Sequence, residues 1–444
     1  MHVLSRIKSR ITSPRVRRAY HGVLARYRPL KKGVLDVYRQ DHPGIYINWN
    51  IFPRRWSNTA KIHWCVTRAV WRERKCYAVL SFLAWPVKAA ILAGKMTRQH
   101  GLQVKRRTGL GLGGQYIEQI RLAFRHGIAP RAYYFYGLYR QENRKRAPLF
   151  IQDHEIGALL RLLNTTADYT LFDDKRRFFA ECERHGLPTI PIIADFEQGS
   201  PKYVRRDSDG HLPQTDLFAK PALGKCGTGV KVFTYERPGL YRSEDGRQRT
   251  GEDLLNDLAE YSRTTPYILQ ERYVNHPEIS NVAPSALCTS RVVTCRLPDG
   301  TCEDIIAIFK MPSGDCCTDN FSTGGIAISV DRSSGLLGSA ISKSLDAERI
   351  DAHPASGCRI SGFRIPHWNQ VIQLCVKAHA AFSGYAYVGW DVAVTGDGPV
   401  LVEGNLNWGV ESMQRAHYGP LGETRFAESL LLHIDHRKCF RSMF

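Results

Sequence analysis

The first 34 residues contain no Asp or Glu, although they carry ten Lys and Arg. Such a segment repels itself and reads as a basic arm or an irregular helix. The shortage of acid is regional. Residues 1–150 hold 31 Lys and Arg against 5 Asp and Glu, whereas residues 151–444 hold 31 against 37. The net charge of +20 therefore belongs to the N-terminal region, which suits an anionic partner, and the rest has the balance of an enzyme body. No secretory leader is expected either: MHVLSRIKSRITSPRVRRAY is basic, but no apolar core or cleavage site follows it. Long apolar runs are absent too. The most apolar stretch, Tyr77–Leu92, is short for a bilayer span and holds Pro86 and Lys88. A buried helix is the first reading, with an interfacial helix and a span as alternatives. None of the 12 Cys forms a C-x-x-C or a zinc-type spacing, even with Cys316 and Cys317 adjacent. Free buried thiols in a reducing cytoplasm are expected. No G-x-x-x-x-G-K-[ST] occurs, which excludes a Walker A loop. GLGLGG at 109–114 has the dinucleotide spacing, but KRRT and no strand precedes it, so that reading is dismissed.

What is present divides by texture. Residues 35–150 are aromatic, Arg-rich and helical in places. In Gln115–His126 the spacing sets Ile117, Ile120, Leu122 and Phe124 near one apolar face. From about 151, helical patterns such as 174–185 alternate with β-rich runs. The runs are Leu217–Ala219, Val230–Thr234, Tyr267–Leu269, Ser290–Cys295, Ile305–Phe309, Ile326–Val330, Tyr387–Val394 and Val400–Leu406. Turn clusters punctuate them, and the fold class is α+β, rich in antiparallel hairpins.

The strongest signal is YVGWDVAVTGDGPVLVEGNLN, residues 387–407. If Val394 opposes Val400, then Asp391 opposes Glu403 and Gly389 opposes Asn405. Alternation gives one face Val388, Trp390, Val392 and Val394 with Val400, Val402 and Leu406. The other face gathers Asp391, Glu403 and Asn405. Two opposed carboxylates repel and need compensation. No basic residue lies between Lys377 and Arg415, so a hard divalent cation, Mg²⁺ with Mn²⁺ as a substitute, is the expected compensator.

The second signal is LFAKPALGKCGTGVKVF, residues 217–233. A strand ends at Lys220, a loop carries Gly224, Gly227 and Gly229, and another strand resumes. Glycines let backbone N–H groups approach phosphate oxygens. The segment reads as a flexible flap over a triphosphate, with Lys220 as a point charge on it.

These two motifs in this order resemble the ATP-grasp superfamily. LFDDKRRFF, LFAKP, ILQERYVNHPEI, TSRVVT, DNFSTGGIAISVD and GWDVAVTGDGPVLVEGN narrow the resemblance to the sugar-transfer associated ATP-grasp family, over roughly residues 105–415. The resemblance implies two α+β subdomains clasping ATP, preceded by the basic, mainly helical region. It implies that Lys175 and Lys220 contact ATP phosphates under Gly224, Gly227 and Gly229. Backbone around Gln270, Glu271 and Tyr273 would hold adenine, and Glu278 the ribose. Asp391, Glu403 and Asn405 would bind Mg²⁺. Arg291 and Lys310 would sit by the γ-phosphate or acyl phosphate, and Asn320 by the acceptor.

The implied activity is ADP-forming ligation of a small-molecule or glycan carboxylate to a nucleophile, through an acyl phosphate, in cell-envelope or exopolysaccharide modification. A kinase acting on a sugar or lipid-linked alcohol is one alternative. A non-catalytic nucleotide-binding protein docked on membrane or nucleic acid is another. Residues 1–110 favour an anionic membrane surface over nucleic acid, on the inner face of the membrane. The expected divisions are a basic region 1–104, a helical lead-in 105–160, the catalytic domain 161–420 and a C-terminal helix or tail 421–444.

Overall fold

The computed structural model describes residues 41–42, 58–164, 168–224, 229–314, 319, 321–344 and 349–436. The basic arm 1–34, Gly227 and Asn320 lie outside the described residues. The chain divides into two compact units, Met1–Pro148 and Leu149–Phe444.

The first unit is helical: α1 (Asn58–Glu73), α2 (Lys75–Thr108), α3 (Leu112–His126), α4 (Pro130–Phe135) and α5 (Gln141–Lys145). α2 buries Tyr77, Ser81, Trp85, Ala89, Ala93, Thr97 and Gly101, a ladder at four-residue steps. The small residues let α3 approach closely; a Cβ on Gly101 would lie 2.8 Å from Leu112 Cδ2. Gly109 (φ 75°) ends α2 and Gly111 caps α3, so GLGLGG is a helix–turn–helix joint.

Three expectations are corrected here. Tyr77–Leu92 lies within a 34-residue helix that is buried on one side only. The inward face of α3 is Gln115, Gln119, Leu122 and Ala123, while Ile117 is 57% exposed. A hydrogen-bonded layer takes the place of the expected aliphatic stripe. Gln119 Nε2 donates to Thr97 Oγ1 at 2.8 Å, and the Tyr134 hydroxyl donates to Gln115 Oε1 at 2.9 Å. Finally, α2 runs through residue 104, and the units part after Pro148.

The second unit opens with α6 (Asp153–Leu163), α7 (Thr170–Asp173) and α8 (Lys175–Arg184). A seven-stranded sheet follows, built from β1 (Ile192–Glu197), β2 (Ser200–Val204), β3 (Leu217–Pro221), β4 (Lys231–Arg237), β5 (Leu240–Ser243), β6 (Gln248–Thr250) and β7 (Tyr267–Glu271). Its order is β2-β1-β7-β3-β4-β5-β6. α9 (Gly251–Tyr261) covers it with Leu254 and Leu258 against Phe196, Leu217 and Leu269.

α10 (Pro277–Val282) leads to a six-stranded sheet of β8 (Thr289–Arg296), β9 (Cys302–Met311), β10 (Ile326–Val330), β11 (Leu337–Ile341), β12 (Tyr387–Thr395) and β13 (Gly398–Asn405). Its order is β11-β10-β9-β8-β12-β13. α11 (Trp368–Ala381) packs Val371, Cys375 and Ala378 on Val292, Phe309, Val388 and Trp390. α12 (Val410–Ala416) and α13 (Arg425–His436) close the unit. Every strand read from the sequence is present, and the eight described cysteines are free.

One glycine next to the carboxylates is fixed by space. A Cβ on Gly389 would stand 2.4 Å from Trp408 Cβ. Gly389→Ala is expected to destabilise the unit by about 1–3 kcal/mol through overpacking. Thermal melting checks this; an unchanged midpoint would contradict it.

Candidate active site

The site is assembled by register. On β12, Asp391 pairs with Glu403 of β13 on one side and Arg291 of β8 on the other. Directly opposed residues on neighbouring strands share a face, so all three side chains meet. The hairpin reaches this pairing differently from the sequence reading. Val394 opposes Pro399, Ala393 opposes Val400 and Val392 opposes Leu401, and a bulge between Asp391 and Val392 restores Asp391 opposite Glu403. The extra residue flips the alternation, so Leu401 enters the core and Val400 and Val402 do not. Gly389 opposes Asn405 as expected.

Asp391 is 2% exposed and held by two cations. Arg291 Nε donates to Oδ1 at 2.7 Å and Nη2 to Oδ2 at 2.6 Å. Lys310 Nζ, from β9, donates to Oδ2 at 3.0 Å. Burial pushes the Asp391 carboxyl up, but Arg291 and Lys310 overrule it and hold it well below the usual carboxylate range. These two cations compensate the opposed carboxylates, which corrects the expectation that a metal must. They lie on other strands, outside the 377–415 window from which that expectation was drawn.

Lys310 also faces Asp319 Oδ1 at 3.7 Å, and Thr289 donates to Asp319 Oδ2 at 2.5 Å. Burial raises the Asp319 carboxyl, against the pull of Lys310. Glu403 differs from Asp391. Its side chain is 37% exposed, Arg291 Nη2 stands 3.8 Å away, and Asn405 Nδ2 donates to its Oε1 at 3.1 Å.

The donor set fits a hard cation. A carboxylate offers about four lone-pair positions. Arg291 and Lys310 place one bond on Asp391 Oδ1 and two on Oδ2. The exposed Glu403 oxygens and the Asn405 carbonyl oxygen stand beside Asp391 on the same face. On the sheet, Asp391 and Glu403 balance Arg291 and Lys310, and Asp319 adds an acid from the loop before β10. Among the described residues no three His, Cys, Asp or Glu side chains group as a metal cage.

The first sheet brings the opposite sign. Lys220 lies on β3, and its charge senses both Lys175 and Glu403. Burial first, then repulsion from Lys175, pushes Lys220 down to about 8. Lys175 opens α8; its backbone N–H donates to Ala222 O at 3.0 Å and its Nζ to Gly224 O at 2.9 Å. Gly224 (φ 120°) and Gly229 (φ 79°) hold the described ends of the Gly loop. Gly229 is anchored by a Tyr267 hydroxyl donating to its carbonyl at 3.0 Å.

The family model for sugar-transfer associated ATP-grasp proteins matches residues 157–423, more than half of the chain. The chain belongs to this ATP-grasp family. Its two antiparallel sheets with flanking helices are the ATP-grasp fold. A search of curated protein sequences finds no match. Among solved structures, the ATP-grasp ligase PsnB with a phosphomimetic precursor variant, Mg and ADP aligns at 17% identity over 66% of this chain and 70% of that one, TM-score 0.34. D-alanine–D-alanine ligase from Bacillus anthracis aligns at 13% identity over 60% and 67%, TM-score 0.32. L-amino acid ligase from Bacillus licheniformis aligns at 10% identity over 66% and 59%, TM-score 0.34. At such scores the assignment rests on the family match.

The remaining positions singled out in the sequence fall around β7. Gln270 is buried, donates Nε2 to Ile190 O at 2.7 Å, and keeps a buried Oε1 without a hydrogen-bond partner among the described residues. Glu271 accepts from Arg205 Nη2 at 2.8 Å. Burial raises the Tyr273 phenol. Glu278 is exposed at the start of α10, which places it near β7 in sequence but outside the ion-paired cluster. Asp319 and Thr289 were not read as site residues. The sequence offers only Asp319 beside Asn320, one of two acids with Asp315 in the stretch 312–325.

Proposed function

We propose that the chain is a Mg²⁺-dependent, ADP-forming ligase that activates a carboxylate as an acyl phosphate and passes it to a nucleophile. One observation carries this reading: the oxygen-bearing face of Asp391, Glu403 and Asn405 lies opposite Lys220 of the other sheet, whose charge senses both Glu403 and Lys175 of α8. That polarity matches a nucleotide whose phosphates take a cation on one side and ammonium groups on the other.

Lys175 and Lys220 would bind the phosphates, with Gly224, Gly227 and Gly229 supplying backbone N–H groups. The backbone around Gln270, Glu271 and Tyr273 would seat adenine, and Glu278 the ribose. Asp391, Glu403 and Asn405 would hold Mg²⁺, which when bound neutralises charge developing on the phosphoryl oxygens. Arg291 and Lys310, fixed by Asp391, orient positive charge toward the transferring phosphoryl group. A substrate carboxylate oxygen bonds to the γ-phosphorus and ADP leaves. The nucleophile, an amine in the simplest case, then bonds to the acyl carbon, phosphate leaves, and the amine proton goes to solvent or a nearby base. Asn320 would lie by that acceptor. The family's association with sugar transfer supports a cell-envelope or exopolysaccharide substrate.

ADP release screened over carboxylate and amine pairs, with mass spectrometry of the product, tests this. Hydroxylamine in place of the amine should give a hydroxamate. ADP formed with a single alcohol, yielding a phosphate ester, would identify a kinase instead.

A pH profile gives a further expectation. With Lys220 pushed down from its ordinary 10.5 to about 8 by burial and Lys175, its charge is expected to fall away as pH rises through 8. Triphosphate favours the charged form and raises that value again. KM for ATP should therefore climb above pH 8 while kcat changes little. A KM flat to pH 9.5 would contradict Lys220 as a phosphate ligand.

A further inference from the structure

The outward side of α2 carries a second ladder at four-residue steps. Lys75, Val79, Leu83, Val87, Ile91 and Lys95 are all exposed. Leu83, Val87 and Ile91 are 67%, 65% and 66% exposed, and Val79 is 43% exposed. Large aliphatic groups seldom stand so open in a contiguous row. The row from Val79 to Ile91 is about 18 Å long at 1.5 Å per residue. It ends in a lysine at each end, with Arg98 one turn further on.

We propose that this face of α2 is a docking surface for an anionic lipid bilayer, with the helix lying in the plane of the interface. The aliphatic row would enter the acyl boundary while Lys75 and Lys95 reach the headgroups, the arrangement of an interfacial amphipathic helix. Charge selects this occupant. Residues 1–150 hold 31 Lys and Arg against 5 Asp and Glu, so two copies brought face to face would repel, whereas an anionic surface attracts them. The first 34 residues of the chain, with ten Lys and Arg and no acid, add to the same attraction.

The helix lies on the bilayer rather than through it. α2 is, among the described residues, the one helix long and apolar enough to cross a membrane. Its other side, however, is fixed to α3, where Trp85 Nε1 donates to Ala123 O at 3.1 Å. A crossing would carry the exposed Arg121 and Arg125 of α3 into the hydrocarbon.

The test is flotation of the full chain with vesicles of phosphatidylcholine alone and of an equimolar phosphatidylcholine–phosphatidylglycerol mixture. The chain should float with the anionic vesicles, remain behind with the neutral ones, and be released by alkaline carbonate. A Leu83→Glu/Val87→Glu/Ile91→Glu variant should lose at least about tenfold in partitioning. Lys75→Ala/Lys95→Ala should weaken it and leave a shallower salt dependence. Circular dichroism and melting confirm that each variant is folded, and Val87→Ser serves as a milder change with a smaller loss. Absence of flotation, equal flotation of the folded triple variant, resistance to carbonate, a self-association in solution that the triple variant abolishes, or binding to duplex DNA that leaves vesicles unbound would each overturn the proposal. None of these readouts depends on ligase activity.

Discussion

Glu403→Gln is expected to lower ATP-dependent turnover by about a hundred- to a thousandfold, the scale of removing one preorganised charge-stabilising group from a phosphoryl-transfer site. The change keeps the side chain's size and one oxygen but removes the charge. Glu403 is the partly exposed member of the carboxylate pair, 37% against 3% for Asp391, and Arg291 stands no closer than 3.8 Å. The fold therefore leans on it little, and the melting midpoint should stay within a degree or two of the parent, since exposed charge pairs contribute only about 0–1 kcal/mol. Turnover and melting measured together separate loss of function from loss of structure. Turnover within about threefold of the parent would remove Glu403 from the cation site.

Asp391→Asn is expected to behave in the opposite way. Its carboxylate is the partner of a bidentate Arg291 and of Lys310, which is 8% exposed at its side chain. An amide there takes the hydrogen-bonded carboxylate from both cations, leaving Arg291 only Glu403 at 3.8 Å and Lys310 only Asp319 at 3.7 Å, and breaking such a group costs about 3–5 kcal/mol. The sign with pH follows from the depressed carboxyl. Stability from Asp391 is fully present above the ordinary carboxylate range and is lost only as pH falls below that range. At pH 7 the parent should therefore be markedly more stable than Asp391→Asn by chemical denaturation, and the gap should narrow in acid. Equal stability at pH 7 would mean that Arg291 and Lys310 find other partners.

The contrast between these two residues explains what the sequence makes readable. Asp391, Glu403 and Asn405 lie on one hairpin, so pleat and turn chemistry place them together. The bulge at Asp391 was not legible, because a register shift of one residue leaves no mark on an apolar run such as Val400–Val402. Arg291 and Lys310 sit 100 and 81 positions away from Asp391, and only sheet order β9-β8-β12 brings them to it. The strands absent from the sequence reading have physical reasons. They are five: β2, SPKYV, is an edge strand with no buried side chain, β5 and β6 have four and three residues, β11, LGSAI, is built from small ones, and β1, IIADFE, is a short apolar start that turns mixed. α3 misled in the other direction: its buried face uses Gln115 and Gln119, and its Ile117 faces outward. α2 shows the same limit, since apolarity alone does not tell which side of a helix has a partner.

Isothermal titration calorimetry of ATP into the chain, with and without Mg²⁺, most directly tests whether the Asp391–Glu403–Asn405 face takes a cation against the triphosphate. The account predicts tight uptake with Mg²⁺, much weaker uptake without it, and loss of that difference in Glu403→Gln. Nucleotide binding that is equal with and without the metal, or undiminished in that variant, would contradict it.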